Sequence, residues 1–204
     1  MTALDPPELH RWLVAQAATL SPALARDIAA LGPLWFPERA DHGPAAFLAR
    51  TVVGQQISSA AARSLWARLE REAAARDTTI AAFLAATDAA ALRACGLSGN
   101  KAKAVLAINA AAAAGELAAL HGLDHAERSA RLGRIWGIGP WSCDMLAIFY
   151  CRETDIWPAG DLAVQRVFRR YIGRRRPAKA AARFAPYRSV LALYMWRLVG
   201  AAPE

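Results

Sequence analysis

The run Leu132-Gly133-Arg134-Ile135-Trp136-Gly137-Ile138-Gly139-Pro140-Trp141-Ser142 restricts this chain more than any other stretch. It reads as the end of one helix, a Gly-Ile-Gly hairpin and the start of the next helix. Gly137 and Gly139 allow backbone angles that a Cβ resists. Pro140 suits the first turn of a helix, where its missing N–H is no loss. The reading is a tight turn whose N–H groups face outward at a helix N-terminus. Such a place attracts a phosphate through its orphan donors and the helix dipole. Further along, Pro158-Ala159-Gly160-Asp161 sets a carboxylate at the opening of another helix. A Gly-x-Gly between helices is often only a turn, so the rest of the chain decides what this one means.

The chain has 204 residues, 55% of them hydrophobic, with a net charge of +8. That is enough apolar material for one or two small domains with a real core, and disorder is not expected. A strongly basic protein commonly meets a polyanion, and nucleic acid is the usual one. The three cysteines, Cys95, Cys143 and Cys151, form no Cys-x-x-Cys pair. Their odd number argues for reduced thiols in a cytosolic compartment and against a disulfide framework or a structural zinc site. It also excludes a four-cysteine iron–sulfur cluster from this chain alone. Met1 to His10 hold Asp5, Pro6, Pro7 and Glu8, which is no secretory leader. No stretch reads as a membrane span.

Alanine, leucine and arginine dominate, and β-branched runs are scarce, so the expected class is all-α. Helices are expected to begin near Glu8, Pro22, Pro44, Ser58, Thr79, Asp88, Gly99, Ala126, Pro140, Asp161, Ala178 and Pro186. Gly32, Gly96, Gly115 and Gly173 read as stops. Residues 161–172 show the clearest periodicity. Leu162, Val164, Val167, Phe168, Tyr171 and Ile172 fall mostly on one face, and Gln165, Arg166, Arg169 and Arg170 on the other. Ala110 to Ala114 reads as helix, not linker.

Three stretches in this order resemble the helix-hairpin-helix DNA glycosylases, in their alkylbase (3-methyladenine) branch. They are Leu48-Ala49-Arg50-Thr51-Val52-Val53-Gly54-Gln55-Gln56-Ile57-Ser58, the hairpin within 132–149, and Gly160-Asp161-Leu162. Cys95-Gly96-Leu97-Ser98 with Lys101-Ala102, and Pro186-Tyr187-Arg188-Ser189 leading to Trp196, look like the same branch. The likeness spans about residues 45–200. It implies a two-lobed all-helical fold with the active site in the cleft between lobes, in a compact form without the N-terminal α/β domain of some relatives. The middle lobe would run over about 55–150, with the hairpin at 135–142, and the second lobe over about 1–54 plus 151–204.

The same resemblance assigns roles. Asp161 would be the catalytic carboxylate, stabilising positive charge on the sugar or orienting a water. By position alone it is also a good N-cap before Leu162, and one side chain can do both. Relatives that nick DNA through a Schiff base carry a lysine where this chain has Trp141, so a monofunctional enzyme is implied, leaving an abasic site. Trp141 would stack on an extruded base, whose positive charge after N-alkylation suits an aromatic face. Trp196 is the second pocket aromatic, although its apolar neighbours also suit the core. Met145 stands where some relatives have tyrosine, and a looser pocket would follow. Trp35 and Phe36 are candidates for further lining.

Gln56 would fill the gap left by the extruded nucleotide, with Gln55 against the duplex beside it. Gly137, Gly139 and Trp141 would offer N–H groups to phosphate, with Lys101 and Arg166 adding contacts, and Lys103, Arg134 and Arg174-Arg175-Arg176 as further cations. No cofactor is required. The family admits a monovalent cation, Na+ or K+, at hairpin carbonyls such as Gly133, Ile135 and Ile138. The expected partner is double-stranded DNA with alkylated bases, and the expected state is a monomer. His42, His121 and His125 have no metal-ligand spacing, and Asp144 reads as a dipole partner of its helix. Two other readings stay open at this point: a glycosylase for a deaminated or mismatched base, and a non-catalytic DNA-binding module.

Overall fold

A computed structural model describes residues 4–37 and 42–199. Among them there is no strand, and no helix is long and apolar enough to cross a membrane. The helices are α1 (Pro6–Leu20), α2 (Pro22–Leu31), α3 (Gly43–Gly54), α4 (Ser59–Ala75), α5 (Ile80–Ala86), α6 (Ala89–Ala94), α7 (Gly99–Ala113), α8 (His125–Leu132), α9 (Pro140–Met145), α10 (Leu162–Ile172), α11 (Pro177–Ala181) and α12 (Arg188–Val199). Most start within a few residues of the expected positions, because the capping chemistry is explicit. Asp5 and Asp124 form capping boxes with Glu8 and Glu127. Ser21, Ser58, Thr79, Asp88 and Ser98 each accept an N–H two or three residues into their helices. Of the opening stretch read as lacking a leader, residues 1–3 lie outside the described residues.

The chain divides into two compact units, Met1–Glu38 with Arg152–Glu204, and Arg39–Cys151. The expected lobe boundary near residue 54 therefore falls too late. Helix α3 belongs with the hairpin, because it packs on α4, α7 and α9.

In the hairpin unit α3 and α7 are the shared centre of two apolar clusters. Ala46, Ala49 and Val53 of α3 join Ala102 and Val105 of α7 in a core with Trp66, Leu69, Phe83 and Leu92. Leu48 and Val52 face the other way, and with Ala104, Ile108 and Ala111 they pack on Leu132, Ile135, Ile138 and Leu146. A helix apolar on two sides suits a central position. The hairpin is thus attached to the core through Ile135 and Ile138, which are both buried.

In the other unit α1 packs on α2, and α10 on α12. Residues Ser189 to Trp196 of α12 are all buried, so this helix runs through the middle of its unit. In α10, Val164, Val167, Phe168 and Ile172 are buried and Arg166, Arg169 and Arg170 exposed, as the periodicity requires. Leu162 does not join the apolar face with which it was grouped. It is 85% exposed, because the helical period sets it opposite Val164 and Phe168, between Arg166 and Arg169.

One buried cation was not legible in the sequence. Arg128 in α8 is 2% exposed, and its guanidinium donates to the carbonyls of Leu120 and Leu123. It thereby ties the turn Leu120–Gly122 to α8. Replacing Arg128 by Met removes these donors and should lower unfolding free energy by about 2 kcal/mol or more, measured by urea denaturation. Arg128→Lys should recover only part, since an ammonium lacks the planar fork.

Candidate active site and nucleic-acid interface

The hairpin is held by its own backbone. Ile135 N–H donates to Leu132 O at 3.0 Å and Ile138 N–H to Ile135 O at 3.1 Å, while Cys143 N–H donates to Gly139 O at 3.1 Å to open α9. These turn bonds use neither Gly137 nor Gly139 as donor. Pro140 is the first residue of α9, as its chemistry suggests.

The two glycines differ. Gly137 has φ +87°, and a Cβ there would stand 2.4 Å from the Cβ of Ala104 on α7. Both the dihedral angle and the close approach therefore require glycine. Gly139 has φ −111°, an ordinary extended value, and a Cβ there would meet nothing within 4 Å. The expectation that its backbone needs glycine is corrected. What glycine leaves at that position is bare backbone at a helix N-terminus.

Trp141 and Met145 lie four residues apart on α9, hence on one side of it. Trp141 is half-buried and Met145 is buried. The α-helix then changes to a π turn over Leu146–Tyr150, a feature frequent beside functional sites and not readable from the sequence pattern. Asp144, expected to serve its own helix dipole, has a cross-helix partner instead: its Oδ1 lies 3.1 Å from His125 Nε2 at the start of α8. Burial pushes the Cys143 and Cys95 thiols up, and neither has thiolate character to offer near neutral pH.

The turn after α3 carries Gln55 and Gln56. Gln56 is exposed, with φ +58°, a left-handed conformation for a residue with a side chain. Gln55 was expected against the duplex. In the structure its amide is engaged inside the unit, with Nε2 donating to Gly137 O at 3.2 Å and to Ser142 Oγ at 3.0 Å. Lys101, expected on phosphate, donates from Nζ to Val53 O at 2.7 Å and so caps the C-terminal end of α3. Burial holds its pKa below the usual lysine value. Lys103 lies over the ring of Trp136, 3.7 Å from its centroid, and Trp136 is itself 53% exposed. This cation–π pair on the hairpin was not foreseen.

Asp161, Trp196, Trp35 and Phe36 belong to the other unit. Asp161 is 7% exposed and is the N-cap of α10. Its N–H donates to Pro158 O at 3.0 Å, and its Oδ1 accepts from Val164 N–H at 2.8 Å. The turn from Pro158 and the cap together fix χ1 of the carboxylate. Its approach from the chain is fixed too. Ser189 Oγ accepts from Ile156 N–H at 2.9 Å and donates to Ile156 O, and Ser189 N–H donates to Thr154 O. Arg188 grips Asp155 with Nε at 2.6 Å and a second nitrogen at 3.0 Å. That hydrogen bond holds the Arg188 pKa above its ordinary value. The Pro-Tyr-Arg-Ser stretch therefore staples the segment leading to Asp161 onto α12.

Trp196 is 2% exposed. Trp35 is 41% exposed and packs edge-on against buried Phe36, centroids 5.0 Å apart. Their segment is held on both sides. Tyr194 OH accepts from Leu34 N–H at 3.1 Å and donates to Gly32 O at 3.0 Å, and Arg152 donates to Pro37 O at 2.7 Å. Arg166 is exposed on α10.

The Gly137 contact yields a prediction. Gly137→Ala should lower stability by about 2–3 kcal/mol and weaken duplex binding, through overpacking and an unfavourable dihedral. Ala104→Gly in that background removes the overpacking and leaves the dihedral strain. The two losses should therefore fall short of additive in a double-mutant cycle read by chemical denaturation.

The profile of the HhH-GPD superfamily base excision DNA repair proteins matches residues 49–185. A curated relative, DNA-3-methyladenine glycosylase 1 of Schizosaccharomyces pombe, is 30% identical over 160 residues, 74% of this chain and 70% of that protein. The structure of a Schizosaccharomyces pombe 3-methyladenine DNA glycosylase in complex with abasic DNA superimposes with a TM-score of 0.76 at 25% identity, over 93% of this chain and 97% of that one. A DNA-3-methyladenine glycosidase from Bacillus halodurans gives 0.72 at 25% identity, over 92% and 88%. The hairpin, the α3 turn and the Asp161 cap all lie within the matched span, and the chain belongs to the HhH-GPD superfamily of base excision DNA repair proteins.

Proposed function

We propose that this protein is a monofunctional DNA glycosylase of base excision repair, releasing alkylated bases of the 3-methyladenine type and leaving an abasic site. The observation that carries the reading is Asp161. It is the one carboxylate buried among the described residues, fixed by a turn, a cap and a staple, in a family of base excision repair proteins. Such rigidity is what electrostatic stabilisation of a short-lived cation needs.

The reaction breaks the bond between sugar C1′ and the base nitrogen. N-alkylation makes the base cationic, so it departs as a neutral molecule with the bonding electrons and needs no strong general acid. The sugar is left with oxocarbenium character, which the Asp161 carboxylate stabilises. Water adds to C1′, and its proton passes to the carboxylate and on to solvent. Trp141 supplies a face for the cationic base and no amine, so no Schiff base forms and the strand stays intact.

Binding of double-stranded DNA rests first on backbone. The main chain at Gly139, open where a side chain would stand at the start of α9, suits a phosphate. Gln56, exposed on its turn, is suited to enter the gap an extruded nucleotide leaves. The carbonyls of Gly133, Ile135 and Ile138 are the groups that would hold a Na+ or K+ ion and add positive charge beside that phosphate. Ile135 O accepts the Ile138 N–H and retains a second lone pair for it.

The test is free-base release from methylated duplex DNA. Asp161→Asn should lose release by at least about a thousandfold while keeping duplex affinity and stability, because asparagine caps a helix as well as aspartate. Borohydride should trap neither form on DNA. Release of uracil or hypoxanthine with no methylated base would shift the substrate class, and binding without any release would leave a DNA-binding module.

A further inference from the structure

We infer that Gln55 is a positioning residue for base extrusion: its amide fastens the turn that carries Gln56 to the hairpin that carries Gly137 and Ser142. The inference rests on the glycosylase reading above and assigns Gln55 a role inside the protein in place of one on the duplex.

The geometry leaves little freedom. Gln55 caps the C-terminus of α3 with its own N–H on Val52 O at 3.2 Å. Its Nε2 carries two hydrogens, and two acceptors stand within reach, Gly137 O and Ser142 Oγ. A carbonyl can only accept, so the nitrogen of the amide, and not its oxygen, must face Gly137. The acceptors lie on the two sides of the hairpin, one in its turn and one in the first turn of α9, where Ser142 is 1% exposed. Lys101 grips the same end of α3 through Val53 O. The segment ahead of Gln56 is therefore held to the hairpin by one side chain and to α7 by another.

Gln56 follows with its backbone in the left-handed region and its side chain in solvent. A wedge on a loose turn would have to be ordered each time it entered a base stack, and that ordering would weaken binding. Here the order is already present in the free protein. The wedge and the phosphate-gripping turn move as one piece, so a hairpin seated on the backbone brings Gln56 to a fixed height in the stack. Sequence motif alone cannot distinguish this from two adjacent glutamines that both touch DNA.

The test uses the full chain with Gln55→Ala, Gln55→Met, Gln56→Ala and the double alanine variant. Gln55→Met keeps the length of the side chain and has no donor for the Gly137 carbonyl or Ser142 Oγ, so it removes the tie without opening a cavity or adding charge beside the hairpin. Binding is measured to undamaged duplex and to duplex holding a tetrahydrofuran abasic analogue, alongside single-turnover base release and thermal unfolding. Both Gln55 variants should keep affinity for undamaged duplex within about threefold, because phosphate contacts do not involve the tie. Their preference for the abasic duplex, and their rate of release, should fall about tenfold, the scale of one or two neutral hydrogen bonds. Gln56→Ala should cost little more once Gln55 is gone, a non-additive pair. The inference is overturned if the abasic preference survives in both Gln55 variants, if the losses from Gln55 and Gln56 simply multiply, or if affinity for both duplexes falls alike. Abasic-duplex binding requires no excision, so a native protein that releases no methylated base would refute the substrate reading and leave this comparison intact.

Discussion

The missing Cβ of Gly137 is the constraint on which the hairpin unit depends. Helix α7 comes so close at Ala104 that no other residue fits, and the backbone is turned to φ +87° where glycine alone is at ease. That approach lets Ile135 and Ile138 reach the core shared with Leu48, Ala104 and Ile108. The hairpin is consequently part of the packed interior on one side, while Trp136 and the open main chain at Gly139 lie on the other. Its geometry is fixed before any ligand arrives.

A comparable economy operates at Asp161. The carboxylate that suits glycosidic chemistry is also the N-cap of α10, and the cap bond to Val164 N–H fixes its rotamer. The segment leading to it is held by Ser189 and by the Arg188–Asp155 pair. The Ser189 bonds are neutral and modest, about 1 kcal/mol each, and those accepted by the Asp161 and Asp155 carboxylates are charge-assisted. Their joint effect is orientational: a group that must stabilise charge at a set place does so best when it needs no reorganisation.

Much of this was legible in the sequence, and what was not has a common cause. The all-helical class, the helix starts at Ser21, Ser58, Thr79, Asp88 and Asp124 or beside them, and the stop at Gly173 follow from local chemistry. So does the hairpin with Pro140 at the start of α9. Local chemistry does not tell which side chains meet across the fold. Gln55 was read as a DNA contact and turns inward to Gly137 and Ser142. Lys101 was read as a phosphate cation and caps α3. Asp144 was read as a dipole partner and meets His125. All three have partners far away in sequence or on another helix, which no spacing rule reports. Leu162 failed for a different reason. It was grouped with the apolar face by its chemistry, but at 3.6 residues per turn it falls opposite Val164 and Phe168, between Arg166 and Arg169, and the residue is exposed.

The displacements of Gln55 and Lys101 share a direction. Both side chains, which a motif reading sends outward to the nucleic acid, are found holding the scaffold. The distinction matters for what substitution can reveal. Replacing a side chain that touches phosphate weakens binding to every duplex to a similar degree and shifts its salt dependence. Replacing one that fixes the scaffold alters the relation between grip and extrusion, and leaves the grip itself in place. Gln55 belongs to the second kind by its bonds, and Gln56, exposed beside it, belongs to the first kind or to the stack. Two neighbouring glutamines with the same side chain thus face different surroundings, one the protein and one solvent, because the backbone between them turns from φ −57° to φ +58°.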